Sequence, residues 1–582
     1  MEKLYLHLIT FLCMIALCVS LPTSPPVEPK GRQFPHDFIW GIGTSAYQIE
    51  GGWNASGKGE SIWDHLTHTY PEKITDQSNG DVASDSYHQW RRDVQMVRDL
   101  NVHVYRFSIS WPRILPGGYT NNVNSEGIRH YSDLINELLH YNITPMVTIY
   151  HWDLPQRLQE LGGWTNPEII PVFKDYARLL FEMYGDRVKI WTTINEPFQI
   201  CEFGYGLDYL APSYNYPGIP CYLCVHNLLK AHAEVVHMYR DQYQELKQGK
   251  IGISMHTSYM QPKTDSDEDR EASERALQFY LGWFAHPIFS KSGNYPQIMI
   301  DRIGNLSKEQ GFTRSRLPEF TQEEINHIRG TSDFFGINAY TTTRVTFNDQ
   351  NNTANFPVPS FYQDMGVVED QDPSWTDSGS SWLKVVPKGM YNLIMWIMRE
   401  YDNPPIIVTE NGVSDKGGLE DYKRVDYLNA YLSAILDAIE DGANVQGYSY
   451  WSMMDSYEWK VGYTENFGLY HVDFNHPNRT RTPKIAAKVY AQICKTNTID
   501  WSYRPTLDEY QINAMAQLLE VEAVGDSTSS ASTIYNTLTG QSWYSITLLL
   551  SILTVTGWDA WTKGILTDDE NVIRRRYSYC KS

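Results

Sequence analysis

The sequence predicts an α/β fold in which eight strands, each followed by helical sequence, close into one (β/α)8 TIM barrel with long rim loops. Three observations predict it. Runs of strand length rich in β-branched residues recur at 38–43, 104–110, 144–151, 190–196, 250–255, 333–340, 405–410 and 445–451. Their apolar content is nearly continuous, as in strands buried on both faces. Amphipathic stretches fill the gaps, and no Gly-rich phosphate loop follows the first run, which argues against an open doubly wound sheet.

The gap before the last run is the clearest helix. Val425, Leu428, Leu432, Ile435, Leu436 and Ile439 fall on one face, and Gly442 ends the pattern. Residues 126–141 and 167–184 fill two further gaps in the same way. Strand–helix alternation of this kind implies parallel strands joined by right-handed crossovers. The stretch 347–382, polar and rich in Asn, Asp, Ser and Pro, reads as a rim loop rather than a domain. The barrel domain is expected over 34–496.

A formal charge of −21 over 582 residues argues against nucleic acid and anionic membrane surfaces as partners and suits a neutral small-molecule substrate. Composition leaves the oligomeric state open. At the N-terminus, Lys3 precedes an apolar run over 4–19, small residues end at Ser20, and a Pro-rich stretch follows; residues 1–20 read as a cleaved signal peptide rather than an anchor helix. Sequons at Asn54, Asn142, Asn305, Asn351 and Asn478 agree with secretion and glycosylation.

Once the leader is removed, Cys201, Cys221, Cys224, Cys494 and Cys580 remain, an odd number and too few for a disulfide scaffold. Cys221-Tyr-Leu-Cys224 suits a local disulfide or two ordinary thiols; no second pair completes a zinc site, and no metal is expected. The character of the chain changes near 496. Residues 505–582 read as a tail, loosely ordered over 505–542, with an apolar run at 543–558. That run is either a weak membrane anchor, the one expected route to membrane contact, or part of a disordered tail. The charged Arg574-Arg-Arg576 beyond it argues against a removable lipid-anchor signal.

Two strand-like runs end on a glutamate. Ile190-Trp-Thr-Thr-Ile-Asn-Glu196 is stopped by Pro197, and Pro405-Ile-Ile-Val-Thr-Glu410 runs into Asn411-Gly412. In a parallel barrel the strand ends hand side chains to one shared pocket, and two carboxylates facing one pocket suit glycosidic bond cleavage.

The words Phe34-Pro-His-Asp-Phe-Ile-Trp-Gly, Tyr105-Arg-Phe-Ser-Ile-Ser-Trp111, His151-Trp-Asp-Leu-Pro155, Asn195-Glu-Pro197 and Thr409-Glu-Asn-Gly412 together resemble glycoside hydrolase family 1 from about Phe34 to Cys494. The resemblance implies a β-glycosidase that needs no cofactor and retains anomeric configuration. It implies Glu196 as acid/base and Glu410 as nucleophile, with Arg106 and Tyr340 beside the latter. Retention requires carboxyls about 5–5.5 Å apart. Glu410 is expected to be ionised, and its charge to hold a proton on Glu196.

The resemblance also implies a sugar-binding set of Gln48, His151, Asn195, Glu458 and Trp459, with Trp451 as an aromatic floor. A charged Glu458 would repel a 6-phosphate, so an unphosphorylated sugar is expected. The family's usual Arg-Phe-Gly-Leu reads Asn466-Phe-Gly-Leu469 here, which puts one peripheral contact in question. The leading expectation is a β-glucosidase with side activity on β-galactosides or β-fucosides. The alternatives are a myrosinase-like thioglucosidase and a catalytically silent, klotho-like binding protein, the last disfavoured because both glutamates are present.

Overall fold

The computed structural model describes residues 31–245, 248–348 and 359–516. Eight parallel strands form the expected closed barrel. They are β1 (Ile39–Gly43), β2 (Val104–Ser108), β3 (Thr144–Tyr150), β4 (Ile190–Asn195), β5 (Lys250–His256), β6 (Phe335–Asn338), β7 (Ile406–Asn411) and β8 (Val445–Trp451). Each pairs in parallel with its sequence neighbours, and β8 closes on β1 through Gly447 opposite Ile39 and Trp451 opposite Gly43. The fold is a (β/α)8 barrel.

Helices follow the strands: α1 (Ser86–Asp99), α2 (Ser125–His140), α3 (Ile169–Tyr184), α4 (Pro220–Tyr239), a helical segment between Asp267 and Ile328, α5 (Pro387–Glu400), α6 (Tyr422–Glu440) and α7 (Ile485–Thr496). The apolar stripe on α6 buries Val425, Leu428, Leu432, Ile435 and Leu436. Gly442 behind it takes φ of 99°, the left-handed conformation that a side chain would oppose.

The barrel floor is apolar. Val104, Met146 and Phe334 pack together with Ile39, Ile190 and Ile407 against them. Gly252 on β5 leaves room for the Phe334 ring: a Cβ there would lie 2.7 Å from it. With this end plugged, the opposite end, where the strands finish, is left to carry polar groups.

The β8–α7 connection is held by a buried ion pair. Lys484 Nζ lies 2.8 Å from Asp455 Oδ1, with neither side chain exposed. Burial alone would push Asp455 up, but Lys484 and His471 outweigh it and hold the carboxyl at about 2.

Four details depart from expectation. The polar stretch read as a rim loop contains a strand, Val367–Asp370, that pairs antiparallel with Thr342–Phe347; Tyr259–Pro262 completes this three-stranded rim sheet. Cys224 bonds Cys201, not Cys221, and Cys221 and Cys494 are free and buried. The sixth strand stops at Asn338, two residues before Tyr340.

The fourth concerns the start of the tail. Residues 509–516 are helical rather than loose. Asp508 and Gln511 exchange backbone-to-side-chain hydrogen bonds of 2.9 Å, a capping box that starts the helix.

Asn54, Asn142, Asn305 and Asn478 are exposed. Asn351, the leader and the run 543–558 lie outside the described residues. Among the described residues no helix is long and apolar enough to cross a membrane.

Removing Asp455 would leave the buried Lys484 with only the more distant Asp415, at 3.8 Å, as a counter-charge. Asp455→Ala is expected to cost about 3–5 kcal/mol in urea unfolding. Because the folded carboxyl sits near 2, below its unfolded value of about 3.9, its contribution is present above pH ~4 and disappears as pH falls through about 2.

Candidate active site

At the C-terminal ends of the strands, two carboxyls meet in one buried hydrogen-bond network. Glu410 ends β7 beside Asn411 and is 3 % exposed; Glu196 follows β4 and is 5 % exposed. Glu196 takes φ of 52°, the left-handed region, as the chain turns out of the strand, and its N–H donates to the Ser254 carbonyl at 2.8 Å.

Arg106, on β2 and fully buried, donates from Nη1 to Glu410 Oε1 at 2.7 Å and from Nη2 to Asn195 Oδ1 at 2.7 Å. The Tyr340 hydroxyl donates to the other Glu410 oxygen at 2.6 Å. On the Glu196 side, Asn338 Nδ2 donates to Glu196 Oε1 at 2.7 Å and to Asn195 Oδ1 at 3.0 Å. Thr409 Oγ1 orients Asn338 by donating to its Oδ1 at 2.6 Å. Glu410 and Glu196 are therefore joined through Arg106, Asn195 and Asn338.

The electrostatics are finely balanced. Burial pushes Glu410 up to about 7; Arg106 opposes it, and the nearby Glu196 adds to it. Hydrogen bonding works against that rise. Both Glu410 oxygens accept from strong donors, one of them a guanidinium, so the ionised form is favoured there.

Around the pair lies a row of polar atoms without protein partners. Asn195 Oδ1 accepts twice, so its amide nitrogen faces His151 Nε2 at 3.1 Å and makes that nitrogen the acceptor. The hydrogen then sits on His151 Nδ1, which is buried and unbonded. Burial and the Arg106 charge hold His151 well below the usual histidine range, so the ring is neutral. Gln48 Oε1 accepts from Ser45 at 2.7 Å, which leaves its Nε2 buried without a partner.

Glu458 accepts from Ser456 at 2.8 Å, and burial, aided by the Glu465 and Glu410 charges, pushes it up to about 8. A carboxyl raised this far is a weaker source of repulsion for a phosphate than a fully ionised one. Trp451 stacks 5.9 Å from the His151 ring, and Trp459 lies 6.0 Å from the same ring at 14°.

Every residue singled out for catalysis or sugar binding lies at this end of the barrel. Asn338 and His256 are additions. His256, at the end of β5, places Nδ1 3.6 Å from Glu196 Oε1. The departure at Asn466 is absorbed by the backbone: its carbonyl accepts from Arg424 Nη2 at 2.7 Å and pairs with Asp415, uses that any side chain permits.

The family model for Glycosyl hydrolase family 1 matches residues 30–499. The chain belongs to that family. Myrosinase 1 of Brevicoryne brassicae is 45% identical over 467 residues, 80% of this chain and 99% of that protein. The human lactase-like protein is 45% identical across 84% of this chain and 87% of its own. Among solved structures, an aphid myrosinase superposes with a TM-score of 0.77 at 45% identity, over 80% of this chain and 100% of the other. A rice beta-glucosidase gives 0.74 at 38% identity, over 79% and 98%. This family-1 protein is thus a glycosyl hydrolase acting on small-molecule glycosides.

The Tyr340 hydroxyl supplies one of two donors to the Glu410 carboxylate. Tyr340→Phe should lower kcat/KM on an aryl β-glucoside about 10- to 100-fold, the worth of a hydrogen bond to a charged group. The melting temperature should change little.

Proposed function

We propose that this family-1 hydrolase is a retaining exo-β-glycosidase that removes terminal, non-reducing β-D-glucosyl residues, with β-galactosides and β-fucosides as side substrates. Glu410 is the nucleophile and Glu196 the acid/base. The observation that carries the reading is the unequal treatment of the two carboxyls: both Glu410 oxygens accept from Arg106 and Tyr340, whereas Glu196 has an amide donor on Oε1. The first arrangement favours a charged nucleophile; the second leaves an oxygen able to carry a proton.

In the first step Glu410 attacks the anomeric carbon as Glu196 passes its proton to the departing glycosidic oxygen. In the second, water attacks that carbon, Glu196 takes the water's proton, and Glu410 leaves as a carboxylate. Arg106 and Tyr340 steady Glu410 in both. Asn195 stands beside the pair, suited to the sugar 2-hydroxyl. Gln48 Nε2 and His151 Nδ1 offer donors to further hydroxyls, Glu458 offers its carboxyl, and Trp451 and Trp459 offer apolar faces to the ring's C–H groups. The preference for an unphosphorylated sugar rests on the lack of a cation among these sugar-binding residues. The mechanism needs no metal or organic cofactor.

A second reading, a thioglucosidase, is favoured by the 45% identity to a protein named Myrosinase 1. Assays on aryl β-glucoside, β-galactoside and glucosinolate substrates separate the two. We also propose that the protein is secreted and glycosylated; four exposed sequons support this, and a mass shift on enzymatic deglycosylation would check it.

Glu410→Gln is expected to lose several orders of magnitude in rate on every substrate. Glu196→Gln should lose far less on a dinitrophenyl β-glucoside than on an alkyl β-glucoside, because a good leaving group needs little protonation. Equal losses on both would remove Glu196 from the acid role.

A further inference from the structure

His256 stands at the edge of this network without belonging to any hydrogen bond in it. It ends β5, directly across the register from Asn338 on β6. Its Nδ1 is buried, has no partner, and lies 3.6 Å from Glu196 Oε1, just beyond hydrogen-bonding distance. The side chain keeps 18% exposure, so the ring also borders the open end of the barrel. Its centroid is 6.2 Å from that of Tyr340.

The ionisable groups facing the ring are Glu196 and Tyr340, with Glu410 and Arg106 one hydrogen bond further in. The other ionisable residue of β5, Lys250, is at the far end of the strand. A ring nitrogen poised this close to a carboxyl oxygen, yet unbonded, fits a contact that tightens in a later state of the reaction, since catalytic hydrogen bonds are often long before substrate binds.

We propose that His256 is a positioning residue for the acid/base, its Nδ1–H closing on Glu196 Oε1 while Glu196 is ionised. The inference rests on Glu196 being the acid/base. After the leaving group takes the Glu196 proton, Glu410 is esterified and neutral, and the pocket's negative charge has moved to Glu196. Arg106 is aimed at Glu410 and Asn195, not at Glu196. Asn338 and His256 are the donors facing the new charge. The His256 contact holds Glu196 towards the incoming water; when water gives up its proton to Glu196, the contact loosens again.

The test compares His256→Ala and His256→Asn with wild type on 2,4-dinitrophenyl β-glucoside, where the second step limits turnover; His256→Phe replaces the alanine variant should that fail to fold. For His256→Ala, kcat should fall about tenfold, the worth of one charge-assisted hydrogen bond. KM should fall with it as the glycosyl-enzyme accumulates, and a pre-steady-state burst should grow. The basic limb of kcat/KM should move to higher pH, because the ionised acid has lost a donor. The asparagine variant, which can still donate, should stay within about threefold of wild type. Unchanged kcat and pH profile in folded His256→Ala, or equal kcat losses in both variants at constant KM, would overturn the proposal. Glu196→Gln, assayed alongside on aryl and alkyl glucosides, separates the cases. A leaving-group dependence there with a wild-type-like His256→Ala rejects only the His256 role, and its absence rejects the acid/base assignment beneath it.

Discussion

Two carboxyl groups in one buried pocket repel each other, and the buried Arg106 guanidinium is the constraint on which this site depends. A guanidinium keeps its charge across the physiological pH range and offers a planar fork of donors. Here the fork is divided, one nitrogen to Glu410 and the other to Asn195, so the same group neutralises one carboxyl and orients the amide beside the second. An ion pair with 0% and 4% exposure contributes little net stability, because desolvation consumes most of its attraction. Its value is in placement. It favours the charged form of Glu410 against the burial that raises that group, which even with Arg106 beside it sits at about 7.

The same logic explains why the pocket carries unbonded polar atoms. Gln48 Nε2 and His151 Nδ1 are buried donors without partners, and each such atom costs about 1–3 kcal/mol in the free protein. The fold tolerates that cost because the floor of the barrel is apolar and filled. Stability at one end of the barrel thus permits a hydroxyl-hungry surface at the other.

How much of this could be read from residues alone follows from which signals are local. The eight strands were legible because burial on both faces makes them apolar throughout. Glu196 and Glu410 were legible because Pro and Gly end their strands in distinctive words. Asn338 was not: nothing marks Phe-Gly-Ile-Asn as functional until register sets it opposite both Glu410 and His256. His256 likewise ends an unremarkable strand. The Cys201–Cys224 bond depends on the path of the chain across 23 residues, which spacing does not encode. The rim sheet joins short strands from separate segments, Tyr259 opposite Thr342 and Val367 opposite Phe347, and each looks like a loop until it is paired.

Barrel geometry makes those hidden residues necessary. The glutamates follow β4 and β7, and β5 and β6 stand between them along the wall. At about 4.8 Å per strand, the wall distance is three spacings, roughly 14 Å. The glutamates come together only by leaning inward across that arc, and whatever caps β5 and β6 then lines the space between them. A large apolar group there would wedge the carboxyls apart; a bare backbone would leave Glu196 unheld. Asn338 and His256 at these two ends are short enough to permit the approach and polar enough to direct it. The strand order therefore dictates that the Glu196 side of the pocket is tuned from β5 and β6, while Glu410 is tuned from across the barrel by Arg106 on β2.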